Sequence, residues 1–99
     1  MSILKVVTKQ PGKPAQAAEI ENGLESLQKF VGGYIQAVDF IGNTLMICNE
    51  EGKLEGLPVN FRFGSDIIVG SIIICGIDGE NFGSLSDDEI MMALGHFNN

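Results

Sequence analysis

Apolar positions repeat with two different periods along this chain, and each change of period marks an element. Leu4, Val6 and Val7 surround Lys5 and run into Thr8, a β-branched stretch that predicts a first strand over 4–8. Gln10-Pro11-Gly12-Lys13-Pro14 then ends it with two prolines and a glycine. Over 17–31, Ile20, Leu24, Leu27 and Val31 recur at helical spacing while Glu21, Glu25, Gln28 and Lys29 take other faces, which predicts an amphipathic helix stopped by Gly32-Gly33. Residues 34–40 and 44–48 flank Gly42-Asn43, a pair that readily adopts positive φ, so they are expected to be antiparallel neighbours in a hairpin.

Asn49-Glu50-Glu51-Gly52-Lys53 has turn chemistry, with Gly52 able to take the left-handed conformation. Residues 57–63 are expected to be extended or irregular, and Pro58 keeps them out of a central ladder. Residues 67–77 form the most hydrophobic segment; it is too short and too β-branched to cross a bilayer as a helix and predicts one buried strand. Asp78-Gly79-Glu80-Asn81 signals a turn, and Ser86-Asp87-Asp88-Glu89 is a capping box that starts a short helix through Ile90, Met91, Leu94 and Phe97. The pattern predicts one α+β domain over 1–99, an antiparallel or mixed sheet with two helices packed against it.

Composition adds a size limit. A chain of 99 residues, 44% hydrophobic and without tryptophan, supports a thin core of Ile, Val and Leu, and self-association into a homo-oligomer would relieve the apolar exposure that remains. Charge is unevenly placed within a formal net of −7: residues 1–14 carry Lys5, Lys9 and Lys13 with no acid, while Lys29, Lys53 and Arg62 face all 13 acids in the remainder. That balance disfavours direct nucleic-acid binding and keeps open a basic protein partner. Cys48 and Cys75 lie far apart outside any Cys-x-x-Cys unit, so neither a metal nor a redox centre is expected. No secretory signal and no membrane segment are visible, and the expected compartment is the reducing cytoplasm.

Catalytic constellations are sparse. The one histidine, His96, sits close to the chain end and suits a helix C-terminus better than a nucleophile-activating triad. Glu50 and Glu51 are adjacent turn acids that tend to diverge, the 78–81 turn lacks the spaced oxygens of a calcium loop, and no Gly-Lys-Ser/Thr phosphate loop is present. The expectation is a non-enzymatic protein without a cofactor. Asn60 and Arg62 alternate with Val59, Phe61 and Phe63, so in an extended segment both polar side chains would share one face and form a phosphate or carboxylate clamp. Asn49 and Tyr34 are candidate base-edge and ring contacts, and Lys53 is a second cationic candidate. The bland alternative is a solvent-facing Arg62 and an Asn60 that closes a turn.

Gly32-Gly33-Tyr34-Ile35 and the block Cys48-Asn49-Glu50-Glu51-Gly52-Lys53-x-x-Gly56-Leu57-Pro58-x-Asn60, extended by Asp66, Ile68, Gly70, Gly76 and Ser84-Leu85-Ser86-Asp87, carry a resemblance. The chain resembles a family of small proteins of unassigned function from phages and mobile elements of Gram-positive bacteria. The resemblance implies a mobile-element accessory protein. One activity suited to it is anti-defence by sequestration, without cleavage, of a small phosphorylated nucleotide-like immune messenger in the host cytoplasm. Tyr34, Asn49, Lys53, Asn60 and Arg62 would bind it, with cationic groups from two subunits brought together by oligomerisation. The competing activity is inhibition of a host defence nuclease or restriction enzyme by an acidic docking face that includes Glu50, Glu51 and Glu55.

Overall fold

β-branched runs seek neighbours on both edges and cover on both faces, and the apolar stretch before Asp78 obtains both. In the computed structural model, which describes residues 2–98, the elements are β1 (Ile3–Lys9), β2 (Gln16–Glu21), α1 (Leu24–Val31), β3 (Ile35–Asp39), β4 (Thr44–Asn49), β5 (Val59–Phe63), β6 (Asp66–Val69), β7 (Ile72–Asp78), β8 (Asn81–Gly83) and α2 (Asp87–Asn98). The main sheet runs β2-β1-β7-β4-β3, with β8 pairing the far end of β7, and β5-β6 form a separate two-stranded sheet. Every strand pair among the described residues is antiparallel. The result is a single α+β domain with two helices, as the pattern predicts.

β7 is central, and its side chains alternate between two apolar clusters. Ile72 and Ile74 join Val7, Met46 and Phe40 on one face, covered by Ile90, Ala93, Leu94 and Phe97 of α2 and by Phe61, Phe63 and Ile68 of the small sheet. Ile73 and Cys75 join Leu4, Val6 and Ile47 on the other, covered by Leu27 and Val31 of α1. The Gly42-Asn43 hairpin forms in register, Ile35 opposite Asn49 through Asp39 opposite Leu45. The Ser86 capping box also forms, with the Ser86 N–H donating to Glu89 Oε1 at 2.8 Å and the Glu89 N–H to Ser86 Oγ at 3.2 Å.

Two expectations are corrected, and two details are added. The segment 17–31 is a strand followed by a helix: Ala18 and Ile20 satisfy a two-residue period as well as a helical one, and β1 offers an edge that takes up Gln16 to Glu21 in a ladder. The apolar run 67–77 is two strands in two sheets, because Gly70, at φ 75°, turns the chain between β6 and β7. Met91 is 72% exposed, and Ala93 takes the inward position in α2. Gly52 does not adopt positive φ; it is needed for close approach, since a Cβ there would stand 2.9 Å from Val69 Cγ2.

Candidate binding surface

Asn49 closes β4 and organises the loop that follows. It is 6% exposed, and its amide donates to the Val31 carbonyl at 3.3 Å and to Glu55 Oε1 at 3.2 Å. Its Oδ1 accepts the Glu51 N–H at 2.8 Å, so one side chain ties the end of α1 to both arms of the loop. Gly33 makes room for it, because a Cβ at that position would lie 2.9 Å from Asn49 Nδ2. Main-chain bonds from Glu55 to Glu51, Gly56 to Lys53 and Leu57 to Gly52, at 2.9, 3.2 and 3.0 Å, wind residues 50–57 into a compact turn. Leu57 anchors its far end against Gly70, where a Cβ would stand 2.8 Å from Leu57 Cδ1.

The turn holds an apolar side chain out in water. Leu54 is 86% exposed, in a turn that also exposes Glu50, Glu51 and Glu55. Across from the turn, Lys53 Nζ donates to Asp66 Oδ1 at 2.6 Å, both side chains being 62% exposed. That bond, aided by the Ile67 N–H, holds the Asp66 carboxyl below its ordinary range. A groove of about 270 Å³ runs between the turn and β6, with Gln36 and Cys48 in its lining. Burial, with the Asp66 charge adding to it and Lys53 opposing, raises the Cys48 thiol.

The five residues proposed from the sequence therefore part company. Asn49 and Lys53 line the groove, one engaged with its own chain and the other with Asp66. Tyr34 stands outside the groove lining, 66% exposed, its carbonyl accepting the Glu50 N–H at 2.8 Å. Asn60 is engaged within the fold: its amide donates to the Lys9 and Gly70 carbonyls, both at 2.8 Å, and its Oδ1 accepts from Lys9 Nζ at 2.9 Å. Arg62 is exposed on β5 and makes no ion pair among the described residues.

The expected Asn60–Arg62 clamp does not form. β5 carries a register shift between Val59 and Phe61, which makes Asn60 the extra residue of a bulge and cancels the alternation that would have placed it beside Arg62. Leu54 and the Lys53–Asp66 pair were missed from the sequence. An apolar residue between Lys53 and Glu55 inside a turn was the available signal for the first. Nothing in the linear spacing signals the second. His96 packs edge-on against Phe40, ring centroids 5.3 Å apart, and belongs to an aromatic cluster with Phe63 and Phe97. Among the described residues no group of three or more His, Cys, Asp or Glu side chains is placed to hold a metal, and no helix is long and apolar enough to cross a membrane.

The fold and the loop define a class: a small α+β domain that presents a braced acidic turn with an apolar tip. The chain belongs to the family described as Domain of unknown function (DUF3846), which matches it over residues 4–98. No curated protein and no solved structure matches it.

Proposed function

We propose that this protein is a phage or mobile-element accessory protein that works in the host cytoplasm by docking, without catalysis, onto a basic surface of a defence nuclease or restriction enzyme. The observation that supports this reading is Leu54, 86% exposed at the tip of a turn that Asn49 braces through three hydrogen bonds. An apolar centre with a polar rim is the general layout of a protein-binding surface, and a turn already held in shape loses little conformational entropy on binding. The exposed Glu50, Glu51 and Glu55 of the same turn would steer association with a positively charged groove. Phosphate recognition has weaker support, because Lys53 is matched by Asp66 and, among the described residues, no second cation stands beside Arg62 in an ion-pair network.

A second reading, sequestration of a nucleotide-like messenger, draws on the groove beside Lys53. Its volume of about 270 Å³ is near the lower end for small-ligand sites. Cationic groups from a second copy would have to complete it.

The two readings separate in one assay series. Purified defence nucleases and restriction enzymes are titrated with the wild type, with Leu54→Ser and with the Glu50→Lys, Glu51→Lys double variant, all checked for fold by circular dichroism. Inhibition by the wild type that either variant lowers at least tenfold supports docking. Inhibition that survives both variants refutes the assigned surface. Absence of inhibition, together with an intact nucleotide released on denaturing protein purified from messenger-producing cells, supports sequestration.

A further inference from the structure

The main sheet has two outer strands, and they differ in what a second strand would meet. The Phe40 N–H donates to the Thr44 carbonyl at 2.9 Å and the Glu50 N–H to the Tyr34 carbonyl at 2.8 Å, so positions 34 and 40 bond inward to β4. Alternation along the ladder places 36 and 38 likewise, and the N–H and C=O groups of Ile35, Ala37 and Asp39 point away from the sheet. Among the described residues nothing pairs with them. β3 has no proline, no lysine and no bulge, and its one charged residue, Asp39, sits at its end.

We propose that two copies of this chain join β3 to β3, antiparallel, about a two-fold axis at Ala37. This is the symmetric register in which all three outward-facing residues pair with one another, Ala37 with its copy and Ile35 with the copy of Asp39. Each Asp39 then lies opposite an isoleucine. The two Asp39 side chains stand about 14 Å apart along the strands at roughly 3.4 Å per residue, beyond the screening length of about 8 Å at physiological salt. Tyr34 falls opposite the partner copy's Phe40, the ring that stacks on Phe63 at 5.1 Å and on Phe97 at 5.6 Å. Tyr34 is 66% exposed in the single chain, whereas Phe40 is 9% exposed.

The other edge opposes itself. The Asn22 N–H donates to the Ser2 carbonyl at 2.9 Å, so Ala17, Glu19 and Glu21 face outward from β2. The corresponding symmetric register centres on Glu19 and sets two carboxylates directly against each other, a destabilising arrangement. The same chain therefore invites a copy at β3 and repels one at β2.

Sedimentation of the full chain from micromolar to millimolar concentration tests this, with hydrogen exchange read at both ends of the series. The wild type is expected to reach twice the 10.6 kDa chain mass. The amides of residues 35, 37 and 39 should be protected at high concentration and should exchange faster on dilution. Ala37→Pro removes an N–H that the single chain does not use, and it should weaken the dimer at least tenfold; Ala17→Pro on β2 should leave it intact. A monomer at every concentration overturns the proposal. So does a dimer in which exchange at 35, 37 and 39 is indifferent to dilution, a reading on the wild type that does not depend on how any variant folds.

Discussion

Replacing Asn49 tests whether one side chain braces the acidic turn. Asn49→Ala removes three hydrogen bonds, to Val31, Glu55 and Glu51, at 3.3, 3.2 and 2.8 Å. At a net value of about 1 kcal/mol each, and with Glu55 and the Glu51 amide able to turn to water, the loss should be about 2 kcal/mol. Asn49→Asp keeps the shape but puts an oxygen where the amide nitrogen faced the Val31 carbonyl and the Glu55 carboxylate. Two bonds are lost, and like charges meet at a separation worth about 1 kcal/mol in water and about 5 kcal/mol at an effective dielectric of 20. Glu55 is exposed and can swing away, so the watery limit applies and the total should be about 3 kcal/mol at neutral pH. Facing acceptors, the introduced carboxyl binds its proton more tightly folded than unfolded. The variant should thus be closest to the wild type below about pH 4 and lose stability as pH rises toward 7. Urea unfolding followed by circular dichroism at several pH values reads each difference from the shift in midpoint at constant slope. An Asn49→Asp protein within about 0.5 kcal/mol of the wild type at pH 7, or one that gains on it as pH rises, would refute the bracing role.

Two further outcomes follow from close contacts and burial. Gly76→Ala should cost about 3 kcal/mol, because its Cβ would stand 2.5 Å from the Ser84 carbonyl oxygen, whereas Gly42→Ala, in open space at φ 62°, should cost about 1 kcal/mol; equal shifts in melting temperature would count against this account. In the folded protein Cys75, whose thiol burial pushes up to about 11, should resist a thiol reagent at pH 8 while Cys48 reacts slowly, so rapid labelling of Cys75 without unfolding would contradict the packing.

Local chemistry was legible wherever one physical signal had no rival. Gly42-Asn43 marked the β3–β4 hairpin, and Ser86 with Glu89 marked the start of α2. Legibility failed where two periods fitted the same residues. Ala18 and Ile20 suit a helix or a strand, and only the edge of β1 decides between them. It failed again where a bulge shifted parity at Asn60, so that a polar pair read as one clamp became a bracket to Lys9 and Gly70 and a separate exposed Arg62.

Composition and pattern by themselves determine the class of this protein: a small acidic α+β chain with a β-branched centre and punctuated turns. Burial preference and backbone conformation act over a few residues and are written locally. The tertiary structure alone decided that β7 enters between β1 and β4, that Lys53 meets Asp66, that Asn49 braces the turn that carries Leu54, and that β3 has no second strand beside it among the described residues. Each of these depends on which distant segment arrives at a given edge or face. That outcome is set by competition among all the apolar surfaces of the chain at once.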